Sequence, residues 1–121
     1  MKAAKKRRDS LLPRFRVMRG TETALGPGKA ELLERINEAG SIGEAAKQMD
    51  MSYMRAWNLV KTMNGCFHEP LVVPQRGGKT GGGATLTATG KKVLRLYQAL
   101  EVQSEKATRG TWGKLQMLLK R

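Results

Sequence analysis

Apolar residues recur along this chain first at strand spacing, then at helix spacing, then at strand spacing again, and finally along one long helical run. Between residues 15 and 26, FRVMRGTETALG sets β-branched and apolar residues around a Gly20-Thr21 break, the pattern of a short strand, with a hairpin as the alternative. Gly26-Pro27-Gly28 punctuates. From Lys29 onward Leu32, Leu33, Ile36 and Ala39 fall at helical spacing, with Pro27 near the first turn and Gly40 as the stop, which predicts a helix of about three turns. Ser41, with Glu44 three residues later, is a capping-box arrangement, and Ile42, Ala45, Ala46 and Met49 give the short helix behind it one apolar side. Asp50-Met51 interrupts the pattern. Ser52 then caps a further helix over about 52–64, whose inward stripe is Ala56, Val60 and Met63, with Trp57 and Leu59 beside it.

Two short helices joined by so tight a turn make a helix-turn-helix. Such helices must approach closely, which the small Ala45 and Ala46 permit, and Met51 is placed to plug the angle between them. After Asn64-Gly65 the chain turns, and Leu71-Val72-Val73 starts an extended run broken by Pro74 and continued by Gln75-Arg76. RGGKTGGGATLT follows, so strand, glycine-rich tip and strand form a β-hairpin over about 71–87. Thr87 then caps a last helix of about 88–107, in which Val93, Tyr97, Leu100, Ser104 and Ala107 step by four, three, four and three, a coiled-coil-like seam flanked by Leu94 and Leu96. A seam too long for one small core calls for a second copy.

The expected fold is mainly α with a small β-wing: a winged helix-turn-helix over 15–107 that ends in a long dimerisation helix. A basic flexible arm, 1–14, precedes it. A basic amphipathic tail, 108–121, carries Trp112, Leu115, Leu118 and Leu119, which are suited to covering the dimer or binding a separate sensor protein.

Charge narrows the function. Against 10 acidic residues stand 23 Lys and Arg, a formal net charge of +13 with a pI of about 10.5, a field that favours polyanions and nucleic acid first. No apolar run approaches the roughly 18 to 20 residues that span a bilayer, and the N-terminus lacks the apolar stretch of a signal peptide. No membrane association is expected, and the predicted location is cytoplasmic, on the nucleoid. Cys66 and His68 are the single cysteine and histidine. They exclude an intrachain disulfide and a cysteine-based zinc cluster, and they leave no nucleophile–base pair or metal constellation. Cys66 beside Phe67 reads as a small core residue and His68 as a turn residue. No enzyme, metal or cofactor is expected.

The glycine-rich tip superficially resembles a P-loop, but the residue five before Gly78 is Val73 rather than glycine, and a strand rather than a helix follows. A dinucleotide fingerprint fails as well, because Leu86 stands where glycine or alanine is required. A wing accounts for the composition better. Glycine lets the backbone take positive φ and lie close to a sugar–phosphate chain, while Arg76, Lys79 and Thr80 meet phosphates or enter the minor groove. On the second helix of the pair, the outward and N-terminal side chains Ser52, Tyr53, Met54, Arg55, Asn58, Lys61 and Thr62 then face a major groove of double-stranded DNA. Arg55 offers a bidentate fork to guanine, Asn58 pairs with adenine, Met54 or Tyr53 touches a thymine methyl, and Ser52 and Lys61 suit phosphate.

From about Phe15 to Ala107 the chain resembles the DNA-binding domain of the ModE family of molybdate-responsive transcriptional regulators, itself similar to the LysR-type winged helix. The resemblance is carried by GPGKAELLERINEAGSIGEAAKQMDMSYMRAW, then MN, EPLV and RGGKTGGGATLTATG, followed by a long helix. It implies a homodimer on an operator, with the helix-turn-helix as reader and the last helix as dimerisation element. A two-fold dimer predicts a site with inverted-repeat character. Full-length regulators of the family continue into β-barrel domains that bind the oxyanion; 121 residues leave no room for one, so no molybdate-sensing domain is expected here. Two other functions fit the same composition: a weakly specific architectural DNA-binding protein, or a DNA-binding adaptor that recruits a separate sensor through its tail.

Overall fold

Strand β1 (Val17–Arg19) pairs antiparallel with β2 (Glu22–Leu25) around Gly20, whose φ of 63° lies in the left-handed region that glycine reaches without steric cost. The computed structural model describes residues 8–75 and 82–121. The first seven residues of the basic arm, and the wing-tip candidates Arg76, Lys79 and Thr80, lie outside the described residues. Helix α1 (Pro27–Ala39) starts with Pro27 in its first turn and ends at Gly40, whose N–H donates to the Ile36 carbonyl at 2.8 Å. Its inward stripe, Ala30, Leu32, Leu33 and Ile36, is buried.

Helices α2 (Ile42–Gln48) and α3 (Tyr53–Cys66) are capped as their sequences predict. The Ser41 hydroxyl accepts from Glu44 N–H at 3.0 Å, and the Ser52 hydroxyl accepts from Arg55 N–H at 3.1 Å. Between them Asp50 takes a φ of 54°, and Met51 N–H donates back to the Ala46 carbonyl at 3.0 Å, which folds the chain sharply enough to bring the two helices together. Ala45, Ala46 and Ala56 are buried at that contact, where larger side chains would hold the helices apart.

The chain turns after the Asn64-Gly65 pair, one residue later than the pair itself, from Phe67 onward. Both residues belong to the last turn of α3, which runs on to Cys66, because the Asn64 side chain finds its partners in the next strand instead of its own backbone. β3 (Val72–Gln75) and β4 (Gly83–Leu86) form the wing, paired antiparallel with Val72 opposite Leu86 and Gln75 opposite Gly83. Pro74 sits within β3 opposite Ala84, and the strand continues to Gln75 beyond it; both strands of a two-stranded sheet are edges, where a missing N–H is tolerated. The base of the wing is tied to the turn after α1, for Ala84 N–H donates to the Gly40 carbonyl at 2.9 Å and Gly83 bridges to Ser41.

Helix α4 (Ala88–Gln116) is capped by Thr87, whose hydroxyl accepts from Gly90 N–H at 2.9 Å. It does not stop near Ala107 but continues through Gln116, making 29 residues, or about 43 Å. Leu94 and Tyr97 in its first half join Leu25, Leu32, Leu33, Ile36, Met63 and Leu71 in a single core. Residues 8–15 lie beside the second half, where Arg8, Leu12 and Phe15 line one cavity of about 690 Å³ together with Thr108 and Trp112.

Candidate nucleic-acid interface

With Ala56, Val60 and Met63 buried, the helical period of about 100° per residue fixes where the other α3 side chains point. Met54, Asn58 and Lys61 stand on the outward face. Arg55 and Thr62 lie on one flank, while Tyr53 and Trp57 lie on the other, toward the wing. Ser52, Tyr53, Met54, Arg55, Asn58 and Lys61 are all exposed. Thr62 is half-buried and its hydroxyl already donates to the Asn58 carbonyl at 3.0 Å, so only its lone pairs and methyl remain for a ligand.

Exposure here is unusually apolar. Tyr53 is 55% exposed and Met54 63%, which suits contact with base edges and sugars better than contact with water. Electrostatics point the same way. Both ion pairs found among the described residues lie elsewhere, Arg35 with Glu31 on α1 at 3.2 Å and Arg109 with Glu105 on α4 at 3.7 Å. Arg55 and Lys61 therefore present their charge outward with no carboxylate among the described residues holding it.

The sequence places Trp57 beside the inward stripe, yet it is 41% exposed. The Lys61 ammonium stands 5.3 Å from the centre of its ring, a cation–π contact. Across from this pair, Val73, Gln75 and Gly82 of the wing close a groove of about 310 Å³ whose α3 wall is Tyr53, Trp57 and Asn64. The spacing Tyr53, Trp57, Lys61, two steps of four, is the signal that could have found this face.

Asn64 ties the end of α3 to the wing. Its Oδ1 accepts from Leu71 N–H at 2.8 Å and Val72 N–H at 3.2 Å, while Nδ2 donates to the Val72 carbonyl at 3.0 Å. One amide side chain thereby joins the end of α3 to the start of β3.

The expected dimer seam is divided. Tyr97 is 2% exposed and its hydroxyl donates to the Phe15 carbonyl at 2.8 Å; burial pushes its phenol above the ordinary value. It serves the chain's own core, and half-buried Val93 packs against that core too. Leu100 and Ala107 are exposed and Ser104 is half-buried. The apolar surface that is left keeps Leu100 of the seam and adds its flanking residue Leu96: both are exposed and join Val17 and half-buried Phe67 around a groove of about 330 Å³. A spacing of 3.5 shows that a face is apolar but not which partner it meets.

Cys66 is not a core residue. Half-buried at the end of α3, its thiol donates to a Glu22 carboxylate oxygen at 3.1 Å, and that bond together with burial pushes its pKa up, away from thiolate reactivity. His68 is exposed in the bend that follows. Among the described residues no group of three or more His, Cys, Asp or Glu is placed to hold a metal, and no helix is long and apolar enough to cross a membrane.

Known proteins are similar to this chain in sequence and in fold. No family model matches the chain. The molybdenum transport protein ModE of Azotobacter vinelandii is 45% identical over 85 residues, 70% of this chain and 32% of that protein. The transcriptional regulator ModE of Haemophilus influenzae is 40% identical over 83 residues, 69% of this chain and 32% of its own. The DNA-binding transcriptional dual regulator ModE of Escherichia coli K12 is 40% identical over 81 residues, 67% and 31% respectively. The chain thus spans about a third of the length of the curated relatives it matches. Among solved structures, the DNA-binding domain of CbnR in complex with DNA superposes with a TM-score of 0.55 at 20% identity, covering 72% of this chain and 95% of that one. Full-length LysG of Corynebacterium glutamicum gives 0.55 at 18%, covering 74% and 29%. At such identities the likeness establishes the fold alone, a winged helix-turn-helix.

Proposed function

We propose that this homologue of the ModE transcriptional regulators is a homodimeric, sequence-specific DNA-binding regulator, with α3 in the major groove and the β3–β4 wing on the adjoining backbone or minor groove. The observation that carries the reading is the outward face of α3, where Arg55 and Lys61, with no carboxylate partner among the described residues, flank Asn58 and exposed Met54 and Tyr53. A face that served only solubility has no use for large exposed apolar groups between its cations. The protein works in the cytoplasm, on the nucleoid.

Selection of bound duplexes from a randomised library at about 0.15 M salt, near physiological ionic strength, tests this. An enriched inverted repeat is expected, with half-sites about one helical turn or more apart. Binding without enrichment would instead favour the architectural role that the net charge of +13 permits. On the enriched site, Arg55→Ala and Asn58→Ala should each cost about tenfold in affinity and relax preference at one base position. Unchanged preference in both variants would remove α3 as the reader.

Dimer formation is supported by the groove around Leu96 and Leu100 and by the further exposed apolar residues Leu115, Met117 and Leu118 at the end of the molecule. Replacing Leu100 by Glu places a charge in that surface, which apolar partners cannot solvate. Sedimentation should then show a particle of 13.4 kDa, where the parent chain sediments at twice that mass. A variant that stayed dimeric would move the interface off this groove.

A further inference from the structure

A duplex whose major groove holds α3 and whose adjoining minor groove holds the wing carries one sugar–phosphate strand between the two, because adjacent grooves are always divided by a backbone. That strand has to pass over the groove between α3 and the β3–β4 strands. The groove is already shaped for it. Its α3 wall carries two aromatic rings, Tyr53 and Trp57, one turn apart, and its wing wall at Gly82 has no side chain to obstruct approach. One further turn along α3, the Lys61 ammonium stands 5.3 Å from the centre of the Trp57 ring, and the residue is exposed.

We propose that Trp57 is a DNA-contacting residue: its indole packs against the sugars of the strand that crosses this groove and steers Lys61 onto a phosphate of the same strand. The inference rests on the DNA-binding reading above. It adds a contact that carries no sequence information, distinct from the base reading by Arg55 and Asn58. Three observations bear on it together. A tryptophan 41% exposed on a small basic domain has an apolar face to cover. A lysine restrained by an aromatic ring loses less side-chain freedom when it meets a phosphate than a free one. Among the described residues no carboxylate pairs with Lys61, so a phosphate meets no competitor there.

Because the contact is with backbone, a duplex of arbitrary sequence serves as the probe. The full chain carrying Trp112→Phe has Trp57 as its single tryptophan, and its emission is followed while a 30-base-pair mixed-sequence duplex is added at low salt. Binding is scored in parallel from the anisotropy of a dye on the duplex. Emission should change in step with anisotropy. Trp57→Ala should weaken binding to every duplex by a similar factor, about tenfold, with base preference unchanged. Lys61→Gln should lower the slope of log affinity against log salt by about 0.9, the loss of one phosphate contact. Trp57→Phe, which retains a ring, should keep most of the affinity, and this separates the contact from any loss of folding in the alanine variant. If duplex binds but Trp57 emission is unmoved and the Lys61→Gln slope equals the parent's, this contact is wrong while the DNA-binding reading stands. Absence of binding to any duplex at low salt would overturn both.

Discussion

Gly90→Ala is expected to lower the unfolding free energy by about 2 to 3 kcal/mol. A Cβ at this position would stand 2.2 Å from the Leu71 carbonyl oxygen, 3.0 Å from its carbon and 3.2 Å from its Cα. All three are backbone atoms, so no side-chain rotation relieves the clash. Relief requires α4 to move away from Leu71, yet Thr87 N–H donates to that same carbonyl at 2.9 Å and the Thr87 hydroxyl donates to the Pro70 carbonyl at 2.7 Å. Overpacking of this kind costs about 1 to 3 kcal/mol and each strained hydrogen bond about 1 more. Alanine recovers about 1 kcal/mol of helix propensity, which leaves a clear net loss. Gly110→Ala in the same helix is the internal control: nothing stands within 4 Å of where its Cβ would sit, so propensity acts alone and stability should rise by up to about 1 kcal/mol. Urea unfolding of the two variants should therefore shift in opposite directions. A Gly90→Ala protein as stable as its parent would mean that α4 does not meet Leu71 at this distance.

The second large effect is expected at Asn64. Leucine in its place keeps the volume but strips the Leu71 and Val72 N–H groups and the Val72 carbonyl of their partners. Each orphaned group costs about 1 to 3 kcal/mol when fully buried, and these are part-buried, so water recovers a share and the total should come to about 2 to 3 kcal/mol. Stability is only half of the expected result. With its tether gone the wing is free to swing relative to α3, and affinity for duplex should fall even at temperatures where the variant is fully folded. Asn64→Asp keeps the acceptor oxygen and loses one donor, so it should lie between parent and leucine variant in both measurements. A leucine variant that bound duplex as the parent does would show that the wing needs no such tether.

Those two residues also mark the boundary of what is legible in the sequence. Caps are local signals, and Ser41, Ser52 and Thr87 each cap the helix that the sequence assigns to them, since donor and acceptor lie three residues apart. The inward stripe Ala56, Val60, Met63 is readable for the same reason: one helix repeats it on itself. Asn64 and Gly90 act on atoms in another element, and nothing near them in sequence shows where Leu71 will lie. Helix α3 runs through Asn64-Gly65 to Cys66 before the chain turns, and the Asn64 side chain makes bonds that close only after β3 has docked. Helix α4 outruns its expected end at Ala107 despite Gly110 and Gly113 beyond it. Single glycines cost a helix about 1 kcal/mol each, too little to stop one already propagating. Trp57 defies its pattern because a large aromatic beside an apolar stripe is normally drawn into the core; here Leu59 lies half-buried on the opposite flank and Trp57 stays at the surface.

The base of the wing has a consequence for control. Gly83 and Ala84 are joined to Gly40 and Ser41, and Asn64 is joined to Leu71 and Val72. Two struts from different corners brace the same small hairpin, so α3 and the wing are held to one another like the jaws of a gauge. In the homodimer proposed above, such a gauge is adjusted from outside, by changing the distance and angle between its two copies, and α4 would be the shaft on which the adjustment turns.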